Sequence, residues 1–216
     1  MSPPKPKVVL LALSKLPSFD IMHSKLLDAL RSNTSLLEVT TEGAADILLN
    51  GIARPIVLVV DSALTEEQFA SQRAAAISFV HRGGTLIFVC DFVSNTSFSD
   101  MTQLFADFSL PWTADSSHRK VNHVNAAALQ MDTSRLLPFY SPKAVLLAKV
   151  QPSNIIYSAT SRTDEMVYIP EPVNNQSLTS TALGKVGRGR VGYVGDVGRQ
   201  GGTLQVIMTM CGLRDR

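Results

Sequence analysis

"GGTLIFVCDFVSN", Gly83 to Asn95, decides the fold. The paired glycines end what precedes them, "TLIFV" is a short apolar, β-rich run of the kind that forms a buried strand, and Cys90 and Asp91 stand where that strand must turn. Upstream, "LTEEQFASQRAAAISFVHR" (Leu64 to Arg82) opens with Thr65 before Glu66, Glu67 and Gln68, a capping-type start. It brings Phe69, Ala76, Phe79 and Val80 onto one helical face. A helix stopped by Gly-Gly just before a buried strand is the connection that a parallel, doubly wound sheet uses.

The same alternation extends outward in both directions. "KVVLLAL" (Lys7 to Leu13) reads as the first strand and "FDIMHSKLLDALRSN" (Phe19 to Asn33) as its helix, with Ile21, Leu26, Leu27 and Leu30 near helical spacing and Ser18 or Asp20 as N-cap. "LLEVTTE" (Leu36 to Glu42) is a second strand, "ADILLNGI" (Ala45 to Ile52) a short helix or turn, and "PIVLVVD" (Pro55 to Asp61) a third, fully buried strand. Past Ser99 the pattern loosens. "DMTQLFADF" is helical, "LPWTADSSHRKVNHVN" holds no firm period, and "SPKAVLLAKV", "NIIYSA" and "EMVYIP" read as short, antiparallel strands. "GRGRVGYVGDV" is a strand entered through glycines, and "TLQVIMTMCGL" an apolar closing helix. The expected fold is α/β: a three-layer, flavodoxin-like, doubly wound and mostly parallel sheet with a short antiparallel extension. It forms one domain over 1–216, with 1–6 a flexible, proline-rich lead.

Composition narrows the function classes. The 216 residues carry 20 Lys and Arg against 18 Asp and Glu, and 45% of them are hydrophobic, enough for a full core. The single basic cluster, Lys185 to Arg190, is too small for a nucleic-acid footprint. The apolar run after "MSPPKPK" is too short for a membrane span or a signal peptide, so the expected compartment is cytoplasmic. Cys90 and Cys211, far apart and without a CxxC, suggest reduced thiols rather than a disulfide or a zinc site. No motif implies a cofactor or a metal. The final helix, with Met208, Met210 and Leu213, is a face on which a homodimer could form.

The strand "GGTLIFVCDF", Asp61 closing the strand before it, and the late "YVGD" ahead of the last helix together resemble the class I glutamine amidotransferase-like superfamily, including its trehalose-utilisation-type and gliding/intraflagellar-transport-type domains. The resemblance covers the first half of the chain and its last thirty or so residues. It implies a catalytic cysteine on a tight turn after a central strand, and Cys90 occupies that place. It also implies a glycine two residues later and a His and Glu near the last strand. Here Phe92 replaces the glycine, and "GYVGDVGRQGG" offers Asp196 and Arg199 but no His. Asp91, adjacent to Cys90, would oppose a thiolate.

The resemblance therefore implies a non-catalytic member serving protein–protein interaction or small-ligand binding. The alternative is a cysteine-dependent hydrolase or amidase using Cys90. Asp61, Asp91 and Asp196 each close a strand at its carboxyl end, the edge where open α/β sheets bind ligands, although Asp is also an ordinary turn former there. With Ser14, Cys90 and Arg199 they are the candidate site residues. His23, His81, His118 and His123 read as solvated or helix-end residues. "GDVGRQGGT" matches neither phosphate-loop fingerprint and reads as a turn.

Overall fold

The computed structural model describes residues 5–125, 128, 131–159, 178–198 and 201–213. Strand β1 (Lys7–Leu11) lies parallel between β2 (Ser35–Val39) and β3 (Ile56–Val59), with Leu10 level with Glu38 on one side and Leu58 on the other. β3 pairs in parallel with β4 (Thr85–Phe88), and β4 in parallel with β11 (Gly189–Val194), giving the order β2-β1-β3-β4-β11.

The central strands are apolar on both sides because both sides are covered. Val9, Leu11, Val57, Val59, Leu86 and Phe88 enter one core cluster, which also holds buried residues of α3 (Glu42–Asn50), α4 (Ala70–His81) and α6 (Phe98–Asp107). Their neighbours Val8, Leu10, Leu58, Val60, Ile87 and Val89 enter a second cluster with α2 (Ser24–Asn33) and α7 (Gly201–Met210). This is the period-two alternation of a strand, made invisible in sequence by helices on both faces. Each such side chain contributes roughly 1.5–3 kcal/mol by leaving water.

The helix expected from Leu64 begins later. Residues Ala63–Thr65 and Glu67–Phe69 form two 3-10 turns, and Thr65 Oγ1 donates to Ser62 O at 2.7 Å instead of capping a helix. Phe69, Ala76, Phe79 and Val80 are buried as their spacing predicts. Gly83 takes φ +107° and Gly84 lies so close to Phe79 that a Cβ there would sit 2.1 Å from the ring, so the Gly-Gly pair both ends α4 and lets β4 start beneath it.

The first helix is interrupted. α1 (Phe19–Met22) ends at His23, whose φ −112°, ψ 19° leaves the helical region, and α2 restarts at Ser24. Ile21 is 81% exposed and does not share the buried face of Leu26, Leu27 and Leu30, since at 100° per residue even an unbroken helix would set it opposite them.

The antiparallel part is larger than a short extension. Six strands form it: β5 (Thr113–Arg119), β6 (Asn122–Val124), β7 (Phe139–Tyr140), β8 (Lys143–Ala148), β9 (Ile155–Ala159) and β10 (Thr179–Val186). β10 pairs antiparallel with β11 through a turn at Gly187, φ +55°, and the sheet continues β10-β9-β6-β7, with β8 joining β10 to β5. β5 and β6 arise from the stretch without a firm period, since β5 is polar and mostly exposed while its partner β8 is almost wholly buried. "EMVYIP" lies outside the described residues. The architecture is a mixed α/β fold: a largely parallel central block, compatible with a flavodoxin-like order, continued by antiparallel strands.

Candidate functional site

Cys90 sits between β4 and the short α5 (Asp91–Asn95) with φ 60°, ψ −128°, a region that L-residues seldom occupy and that costs about 1–3 kcal/mol. Two backbone bonds flank it: Val89 N donates to Val59 O, and Phe92 N donates to Val60 O, both at 3.0 Å, so the chain just before and just after the Cys90–Asp91 turn is pinned to the end of β3. The sharp elbow thus forms without the glycine that the sequence reading required. Phe92 is tolerated because its ring turns into the core, 4.7 Å from Phe88 and fully buried.

Asp91 does not stand alone beside the thiol. His23 Nε2 lies 2.9 Å from Asp91 Oδ1, both residues are 7% exposed, and the His23 ring packs 4.6 Å from Phe19. This corrects the expectation of a solvated His23 and of a site lacking an imidazole. The His comes from the α1–α2 junction, not from the last strand. No periodicity in "FDIMHSKLL" marks it. The signal available is that a polar His between two apolar turns needs a buried partner if the helix breaks there.

Asp61 closes β3 and accepts hydrogen bonds from Ser14 N (2.8 Å) and Ala63 N (3.1 Å). It therefore bridges the chain leaving β1 to the chain leaving β3, the point where strand order reverses. Burial raises its carboxyl pKa. The two N–H donors pull it back, and nearby Glu66 and Asp91 push it further up. Its geometry is that of a turn holder, since both carboxylate oxygens are engaged by backbone.

Asp196 follows β11. Its carboxylate accepts from Gly198 N at 2.7 Å and from the Thr203 hydroxyl at the start of α7. Arg199 lies outside the described residues. His118 and His81 are exposed, as expected.

A cleft of about 400 Å³ opens at this carboxyl edge. His23, Ser24, Lys25, Cys90, Asp196 and Thr203 supply polar lining, and Met22, Leu26, Val194 and Ile207 are among its apolar walls. Of the sequence-derived candidates, Cys90 and Asp196 line this cleft, Asp91 borders it through His23, and Ser14 with Asp61 forms a separate bridge. Among the described residues no cluster of three or more His, Cys, Asp or Glu could hold a metal ion, and no helix is long and apolar enough to cross a membrane.

Solved structures carry the comparison. A ThuA-like protein from Bacteroides uniformis superposes with TM-score 0.65 at 9% identity, covering 97% of this chain and 91% of that one. A second, from Parabacteroides merdae, gives TM-score 0.56 at 9% identity, covering 99% and 93%. These two neighbours are ThuA-like proteins. Their fold is the class I glutamine amidotransferase-like fold. A cytoplasmic protein from Salmonella typhimurium also matches, with TM-score 0.56 at 13% identity over 94% of each chain. At such identities the likeness concerns the fold. No family model and no curated protein matches the sequence.

Proposed function

We propose that this chain is a glutamine-amidotransferase-like domain of flavodoxin-like type that acts in the cytoplasm and binds a small molecule in the cleft beside Cys90, without the cysteine-histidine-glutamate turnover of active relatives. One observation carries the reading: thirteen residues from α1, α2, the Cys90 elbow, the end of β11 and α7 converge on a single concavity of ligand size with apolar walls and a few polar groups. The test is a fragment screen followed by methyl and amide NMR. Saturable shifts centred on Val194, Thr203, Leu204 and Ile207 support the reading. A screen whose hits all map elsewhere, or that yields none, rejects it.

The elbow backbone of Cys90 and the buried His23–Asp91 pair favour a second reading, a cysteine-dependent hydrolase. In it the Cys90 sulfur adds to a carbonyl carbon and gives its proton to His23, which Asp91 orients. The protonated imidazole then passes that proton to the leaving amine, and water releases the acid from the thioester. Iodoacetamide kinetics in the folded protein discriminate the two. A Cys90 alkylation rate at neutral pH that falls about tenfold in His23→Asn supports the hydrolase. A slow rate that the substitution leaves unchanged removes it.

A further inference from the structure

Strand β2 forms one margin of the sheet, and among the described residues it pairs only with β1. Ser35 N donates to Pro6 O at one end of the strand, and Ala12 N donates to Val39 O at the other. Successive residues of a strand aim their backbone groups to opposite sides, so Ser35, Leu37 and Val39 face β1, and Leu36 and Glu38 turn their N–H and C=O groups to the open margin. Natural sheets blunt such a margin with proline, a bulge or a free charge. β2 has none of these. It reads SLLEV, its register with β1 runs in step from Lys7 and Ser35 to Leu11 and Val39, and its one charged side chain, Glu38, is held by Lys15 of the same chain. Side chains alternate as well. Leu36 packs on the core cluster shared with α2, and Val39 enters the cluster shared with α3. Leu37, on the same side as Val39, is 58% exposed, and Ile47 of α3 is 79% exposed.

This margin is complementary to itself. Laid antiparallel about a two-fold axis at Leu37, two β2 strands set Leu36 of each copy opposite Glu38 of the other. Those residues then exchange both N–H···O bonds, and every outward backbone group of β2 is paired. Leu37 meets Leu37 at the centre, in the non-hydrogen-bonded position where Cα atoms stand about 4.5 Å apart and side chains lie closest. Other registers do worse. An axis at Glu38 sets two carboxylates face to face. An axis at Leu36 brings Glu38 opposite Thr34, whose N–H and hydroxyl both already donate to Leu30 O. In the favoured register each Glu38 carries its own Lys15 and stands opposite a leucine, so no like charges oppose the contact. The pairing is isologous and closes at two chains. The final helix offers less: its Met208 and Met210, with Leu213 beyond it, are buried in their own chain.

We infer that two copies of this chain associate through antiparallel β2 strands centred on Leu37, so that the sheet of one continues into the other. The experiment is analytical ultracentrifugation of the full chain from about 10 to 500 µM, a range suited to an interface of small area, with amide hydrogen exchange and mild oxidation on the same samples. The mass should rise from one chain toward two with concentration, and exchange at Leu36 and Glu38 should slow in parallel with it. Leu37→Cys should link two chains through a disulfide, since the paired Cα atoms lie within its reach, whereas Leu36→Cys and Glu38→Cys should not. Cys90 and Cys211 are buried and do not compete. Leu37→Lys, which sets like charges face to face, should weaken association at least about tenfold. A chain that stays monomeric over the whole range overturns the inference, as does growth past two chains. So does a dimer whose Leu36 and Glu38 amides exchange as fast as in the monomer, or one that Leu36→Cys links as readily as Leu37→Cys. Sedimentation and exchange of the wild type decide even if a variant folds poorly.

Discussion

Replacing His23 by alanine tests whether the α1–α2 junction is held by its buried pair. The two side chains are 6% and 9% exposed and meet at 2.9 Å, so removing the imidazole leaves the Asp91 carboxylate in a site built for a partner. Breaking a buried pair in this way costs about 3–5 kcal/mol. For a chain of this length that is a fall in melting temperature of roughly 6–20 °C, at about 2–4 °C per kcal/mol. The assay is urea unfolding of His23→Ala, Asp91→Ala and the double variant. Each single change should lower stability by that amount, and the double change should cost clearly less than their sum, because neither group is then stranded. Single losses below about 1 kcal/mol, or additive losses, would show that water reaches the pair and that the junction is held by Phe19 packing instead.

Three further outcomes follow from the geometry. Cys90→Gly should be about 1 kcal/mol more stable than Cys90→Ala in calorimetry, because glycine removes the φ 60° strain that alanine keeps; equal stability would mean the elbow is unstrained. Gly189→Ala should lose more than about 2 kcal/mol, since its Cβ would lie 2.1 Å from Gly84 O and 2.3 Å from Val80 O, backbone atoms that cannot rotate away; a neutral effect would place β11 farther from α4. Asp61 has a raised folded pKa, so the native state holds its proton more tightly than the unfolded chain. Its contribution is fully present below the unfolded value of about 3.9 and is lost as pH rises through the higher folded one. The stability of wild type relative to Asp61→Asn should therefore rise as pH falls from neutrality toward 4, and a flat difference across that range would refute the assignment.

The parallel block was legible because its strands are continuous apolar runs punctuated by glycines, and nothing but burial on both faces produces "IVLVV" and "LIFV". β5 was not, because an exposed polar strand that packs one side onto β8 has no signature of its own. β10 was missed for a related reason. "STALGKV" mixes Ser, Thr and Gly because Gly184 must admit Trp112, whose ring would lie 2.8 Å from a Cβ, so packing overrides strand propensity. At the site, Cys90 and Asp196 could be nominated since strand-end position is visible in sequence. The His23–Asp91 pair could not, because it joins residues 68 apart and no local pattern encodes that meeting.

The late arrival of β11 has a consequence for synthesis. This strand occupies a middle lane of the sheet, between β4 and β10, yet a hundred residues separate its pairing partners Thr85 and Arg190, allowing for the few at each end. A chain emerging from the ribosome therefore presents β4 with an open flank for about ten seconds at roughly 10 residues per second, and α7 seals the cleft only afterwards. Any factor that shields nascent protein should be needed most in that interval, and ribosome-stalled chains ending before Gly189 are where self-association should peak.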